Sequence, residues 1–183
     1  MKIFLKGFCI GLLCLSLLGL LWFLVLQPGL TNGEAQALKE TYTQPLPGES
    51  SGELPAGKEQ PEPESLVDLS ALQAEYPDIQ GWISIPGTCV DYPVLQSSAD
   101  DPEHYLRRTY KGEHRTAGSI FFQWDCTPES KNLVVYGHNM NDGTMFAVLQ
   151  KMAKEAFRNE HSQILLQTSD GLREYQIAAV LKT

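Results

Sequence analysis

Basic charge is scarce along most of this chain. Lys2 and Lys6 precede an apolar N-terminal segment and every acidic residue follows it. The remainder therefore carries 12 basic against 22 acidic residues, a balance of -10. Nucleic-acid binding needs a basic footprint, so this composition argues against it. It suits a soluble module held off an anionic cell surface. Clustered metal ligands are lacking as well: His104, His114, His138 and His161 are scattered, none at zinc-ligand spacing, and no cofactor is implied. Cysteine is limited to four residues, and Cys9 and Cys14 lie in the apolar segment, where they behave as small apolar side chains. Cys89 and Cys126 are left, and sequence alone does not show whether they approach within bridging distance outside the cell. There are no internal repeats, and 183 residues allow one domain plus appendages.

Charge of either sign is absent from Gly7 to Leu26. Twenty residues at about 1.5 Å each span about 30 Å, the thickness of a bilayer core. The expectation is a short cytoplasmic tail over residues 1–6, a transmembrane anchor over 7–26 and an extracellular remainder at the plasma membrane, because Lys2 and Lys6 set a positive-inside orientation. The rival is a cleaved signal peptide with Ala35-Gln36-Ala37 as the small-residue site. That site lies far past Leu26 and the apolar stretch is long for the purpose, so the anchor is preferred. Residues 27–64 lack apolar periodicity and contain Pro45, Pro47, Pro55, Pro61 and Pro63. They read as a disordered tether, since little could be buried to offset chain entropy. A Pro-rich recognition segment is the weaker alternative, as no basic residue flanks a clear motif.

Order is expected from Ser65 to Thr183. Ser65, with Asp68 three residues on, resembles a capping box for a helix that buries Leu66, Leu69 and Leu72 and ends at Pro77. Trp82, Ile83 and Ile85 form a strand, Pro86-Gly87 a turn, and Val90 to Leu95 a second extended piece. Ser119 to Trp124 reads as a core strand and Asp125 to Lys131 as a polar loop. Leu133-Val134-Val135-Tyr136 reads as a strand buried on both faces, followed by Gly137 and His138. Asn141-Asp142-Gly143 is a turn. Met145, Phe146, Val148, Leu149, Met152, Ala153, Ala156 and Phe157 then recur at helical spacing, predicting one helix over 144–160. Gln163 to Thr168 and Glu174 to Leu181 predict a hairpin about Ser169-Asp170-Gly171.

An imidazole where a rigid strand meets a loop is a candidate general acid or base. A lone histidine is more often a surface or capped residue, so the surrounding motif matters. Tyr136-Gly137-His138-Asn139-Met140, followed by Asp142-Gly143-Thr144-Met145-Phe146, resembles the catalytic-histidine segment of class B sortases, membrane-anchored cysteine transpeptidases of Gram-positive bacteria. Asp78-Ile79 with Gly81-Trp82-Ile83, Ile85-Pro86-Gly87-Thr88 and Asp91-Tyr92-Pro93-Val94 resembles the opening of that domain. Tyr105-Leu106 and Ala117-Gly118-Ser119-Ile120-Phe121 are similar in order and spacing.

The resemblance implies a mostly β fold with accessory helices, the sortase-type β-barrel, incomplete at its C-terminus. It implies cleavage of a C-terminal sorting signal on a secreted protein and joining to a peptidoglycan-precursor or pilin amine. Such chemistry requires a thiolate, a proton donor and an oxyanion partner. His138 matches the proton donor. Tyr136, two residues earlier and so on the same strand face, is a candidate substrate wall by position, and Leu106 matches a leucine that the family places near the sorting-signal groove, although core packing would also explain both. The family's cysteine and arginine lie on later strands with no counterpart among these residues, so this chain is expected to be inactive alone. Cys126, twelve residues before His138, is the better substitute thiol, but a free loop thiol is the simpler reading. Asp100-Asp101 and the added length around Pro102 depart from the family pattern. The alternative function is a non-catalytic, membrane-tethered binding module.

Overall fold

The computed structural model describes residues 2–22, 27–44 and 66–181. Two strands organise it. Ile79–Ser84 (here β3) and Asp91–Gln96 (β4) pair antiparallel, with Trp82 opposite Pro93 and Ile83 opposite Tyr92. Gly87 makes the turn between them in the left-handed region, φ +73°, where glycine meets no Cβ penalty. Both strands are buried along most of their length, which explains their near-continuous apolar sequence.

From this pair the sheet grows outward on both sides to six strands. Ile120–Phe122 (β5) lies parallel to β4, so a long crossover through residues 97–119 must join them. Val135–Tyr136 (β6) pairs antiparallel with β5 at one edge. On the other side β3 pairs with Gln163–Thr168 (β7), which turns directly into Gly171–Gln176 (β8). Alternation sends neighbouring residues to opposite faces. Ile83, Val94, Ile120, Phe122 and Leu166 join Met145, Val148 and Met152 on one side. Trp82, Leu95 and Phe121 join Leu69, Leu72 and Tyr105 on the other.

The helices cover those faces. Leu69–Glu75 (α3) is capped by the Asp68 carboxylate, which accepts from Ala71 N at 3.0 Å. The cap is therefore Asp68 itself. Leu66 belongs to a two-residue strand, Leu66–Val67 (β2), paired with Thr43–Gln44 (β1), and Ser65 lies outside the described residues. The apolar segment forms a helix, Lys2–Leu21 (α1). Among the described residues no helix is long and apolar enough to cross a membrane, and residues 23–26 of the expected span lie outside them.

Other expectations also need correction, among them the returning strand placed over Glu174 to Leu181, which runs from Gly171 to Gln176. The tether does not begin at residue 27: Gln27–Tyr42 (α2) is a helix that buries Ala35 and Leu38. Sequence periodicity missed it because polar anchors hold it to the domain. Lys39 Nζ donates to Asp91 at 2.8 Å, Arg115 makes a two-pronged pair with Glu34 at 2.6 and 2.8 Å, and Tyr92 Oη donates to Asn32 at 2.5 Å. Residues 45–65 lie outside the described residues. The single helix over 144–160 is instead a 3-10 segment, Phe146–Ala153, and a short helix, Glu155–Glu160 (α4). Extended backbone at Lys154 separates them, and Phe146 N bonds His138 O rather than a helical carbonyl. The strand expected over 133–136 pairs only at Val135–Tyr136, and Tyr136 is 45% exposed because β6 is an edge. Trp124 leaves its strand for a turn and is 47% exposed.

Candidate active site

His138 leaves the end of β6 beside a backbone with no spare room. A Cβ on Gly137 would lie 2.7 Å from the Phe146 ring and 3.2 Å from Ile120 Cγ1, so glycine lets the strand end pass between them. The histidine carbonyl accepts from Phe146 N at 2.9 Å, and Asn139 bridges to Met145 across the intervening turn. Met145 is 2% exposed, and its N–H donates to Tyr92 Oη at 3.2 Å. The loop carrying the imidazole is thereby pinned to the centre of the sheet.

The ring itself is half-buried, and Nε2 lies 2.8 Å from the backbone oxygen of Leu106. A carbonyl oxygen only accepts, so the neutral ring carries its hydrogen on Nε2, a tautomer assigned from the network. Nδ1 then holds the lone pair, and no hydrogen bond to it is present among the described residues. A ring so held can take a proton on Nδ1 and return it without reorienting.

Leu106 and Tyr136 meet at one groove of about 360 Å³, whose other walls are Pro102, Glu103, Phe121, Gln123 and Trp124. Tyr136 sits opposite Phe121 in register, with ring centroids 5.6 Å apart, and its hydroxyl donates to Gln123 Oε1 at 2.9 Å. The structure thus brings together all three residues singled out in the sequence: His138 through the Leu106 carbonyl, and Leu106 with Tyr136 across the groove. Sequence reading missed Gln123 and Trp124. An aromatic just past a strand was the available signal for Trp124. Gln123 offered none, since its part depends on a strand partner thirteen residues away.

Asp101, in the acidic stretch before the groove, has a local role: its carboxylate meets His104 Nδ1 at 2.9 Å, and its carbonyl accepts from His104 N. Neither cysteine is paired. Cys126 is buried, its sulfur 3.6 Å from Asn132 O. Cys89 is exposed as a residue and its sulfur lies 3.2 Å from Gly143 O, where partial burial pushes the thiol above its ordinary range. Among the described residues no hydrogen bond joins either sulfur to His138, and no group of three or more His, Cys, Asp or Glu is placed to hold a metal ion.

The sortase domain family matches residues 83–183, from β3 through β8. This chain belongs to the sortase family. Two curated sortase B proteins are similar to it. That of Listeria monocytogenes is 41% identical over 118 residues, and that of Staphylococcus aureus 37% identical over 119. Each match covers 63% of this chain and 47% of the relative. The crystal structure of a Bacillus anthracis protein similar to sortase B superposes with a TM-score of 0.60 at 32% identity, covering 79% of this chain and 62% of that one. The likeness is to class B, as the motifs indicated, and the curled six-stranded sheet with its helices is the sortase fold. This sortase chain spans about half the length of the curated relatives it matches.

Proposed function

We propose that this chain is part of a class B sortase that works as a cysteine transpeptidase, with His138 as its proton donor. A cysteine thiolate supplied from outside these residues attacks the carbonyl of a sorting signal on a secreted protein. The carbon–nitrogen bond then breaks, His138 gives its proton to the departing amine, and a thioester remains. An amine of a peptidoglycan precursor or a pilin subunit displaces the sulfur, forming the new amide and returning a proton to the ring. Tyr136 and Leu106 line the path of the sorting signal. The uncharged segment Gly7 to Leu26 anchors the protein in the plasma membrane with its N-terminus in the cytoplasm and the domain outside.

The observation that carries this reading is the half-buried imidazole bonded to the backbone oxygen of Leu106, a residue that with Tyr136 lines a groove. The test begins with the reading frame past Thr183, where a strand ending in Ser-Thr-Cys or similar and an Arg-bearing strand are expected. In the product of that frame, His138→Ala should cut cleavage and transfer of a sorting peptide by about 10²- to 10⁴-fold. The 183-residue chain alone should do neither. Unchanged turnover in the His138→Ala product would overturn the mechanism. An in-frame stop after Thr183, with peptide binding retained, would favour a tethered binding module.

A further inference from the structure

The acceptor that holds the imidazole is a backbone carbonyl, so nothing in the Leu106 side chain explains how it is kept in place. The residue pressed against it is Gly118, in the buried turn just before β5. Gly118 has φ +59°, in the left-handed region. A Cβ built there would lie 2.2 Å from Leu106 O, 2.6 Å from Leu106 C and 2.6 Å from Tyr105 O. Real Cβ atoms do not come so near, and the atoms in the way are backbone, which cannot swing aside as a side-chain end can. The crossing is also bonded in place: Ser119 N donates to Tyr105 O at 2.9 Å, Gly118 N to Arg115 O at 3.0 Å, and Arg115 N to Arg107 O at 2.9 Å. The same Leu106 oxygen meets His138 Nε2 at 2.8 Å.

We propose that Gly118 is a positioning residue for His138, acting through the Leu106 carbonyl. Its missing side chain lets the turn at 117–119 lie flush against the 3-10 segment His104–Arg107, which sets where the Leu106 oxygen points and so which ring nitrogen of His138 carries the hydrogen. Any Cβ at this position moves that oxygen, because it is the nearest atom in the way. With the acceptor displaced, the ring loses the bond that favours hydrogen on Nε2, and the hydrogen moves between Nε2 and Nδ1. The inference rests on the proposed role of His138 for its functional meaning, but the link from glycine to ring is a geometric one.

The chain supplies its own control. Gly112, on the same crossover, has φ +79° and would place a Cβ in open space. Gly118→Ala and Gly112→Ala therefore impose comparable left-handed strain, and only the first touches the carbonyl. The measurement is the ring N–H resonance of His138 in the 183-residue chain with nitrogen-15 histidine, assigned by its loss in His138→Ala. At neutral pH the wild-type chain should show a hydrogen-bonded Nε2–H protected from exchange with water. Gly112→Ala should keep it and Gly118→Ala should lose it. A neutral wild-type ring with its hydrogen on Nδ1 in place of Nε2, or a Gly118→Ala spectrum with the Nε2–H intact, overturns the proposal. Where Gly118→Ala does not fold but Gly112→Ala does, the wild-type spectrum decides: a protected Nε2–H supports the link and its absence sinks it.

In the longer reading-frame product, Gly118→Ala should lower kcat about 10- to 100-fold with little change in KM, the scale of a displaced catalytic group. A rise in KM alone would point to the groove wall and against positioning. Should His138→Ala turn over normally while the ring N–H responds to Gly118→Ala, the catalytic reading fails and the structural link stands.

Discussion

Gly137→Ala tests whether the histidine-bearing strand end is as tightly packed as the geometry implies. The added methyl would sit 2.7 and 3.0 Å from two atoms of the Phe146 ring and 3.2 Å from Ile120 Cγ1. Ordinary contact begins near 3.4 Å, so the ring must retreat by several tenths of an ångström. Ile120 is 1% exposed and cannot yield. Overpacking of this kind costs about 1–3 kcal/mol. Alanine also reduces the freedom of the unfolded chain, which returns about 0.4–1 kcal/mol. The net expectation is a loss of about 1–2 kcal/mol, read as a shifted urea midpoint at constant slope. Phe146→Leu removes the ring edge that clashes. The double variant should therefore be more stable than the sum of the single losses predicts, by about 1 kcal/mol. Strict additivity, or a Gly137→Ala chain as stable as the parent, would refute the packing argument.

Leu72→Ala empties a fully buried site between α3 and the sheet and should cost about 2–5 kcal/mol in urea unfolding; a loss below about 1 kcal/mol would mean that α3 is not docked as described. Burial pushes the Tyr92 phenol from 10.0 up to about 12, so across that window the folded chain holds a proton that the unfolded chain has released. Stability should be fully present below pH 10 and fall on the way to pH 12, with a shallower fall in Tyr92→Phe; identical alkaline slopes would contradict this. The same variant should lose about 1–3 kcal/mol at neutral pH, because Asn32 and the buried Met145 N–H lose their partner. Peptide mapping without reductant should recover Cys89 and Cys126 as free thiols, and a linked pair would contradict the unpaired sulfurs of the structure.

Much of the sheet was legible because its strands are short apolar runs bounded by turn residues. Pro86-Gly87 and Ser169-Asp170 marked two of the reversals, and β3, β4 and β7 fall where their side chains predict. The helical pattern after Met145 was real but misleading. Val148 and Met152 are buried as the spacing required, yet the entry is fixed by the Tyr92 hydroxyl and the His138 carbonyl, so the segment starts as a tight turn. Helix α2 escaped notice for the opposite reason: the apolar side chains it buries among the described residues are few, Ala35 and Leu38, and its attachment depends on Asn32, Glu34 and Lys39, which look like solvated residues until their partners are known.

The order of residues alone determined the family and singled out His138 as a candidate, because a strand end, a glycine, an imidazole and a turn are all local features that neighbours in sequence specify. Only the tertiary structure decided what that imidazole touches. Its acceptor is a backbone oxygen 32 residues earlier, and the groove beside it is assembled from three separate stretches. A carbonyl leaves no mark in side-chain chemistry, and a groove exists only after distant segments have packed. The sheet register and the crossover between β4 and β5 were therefore needed before the site could be drawn.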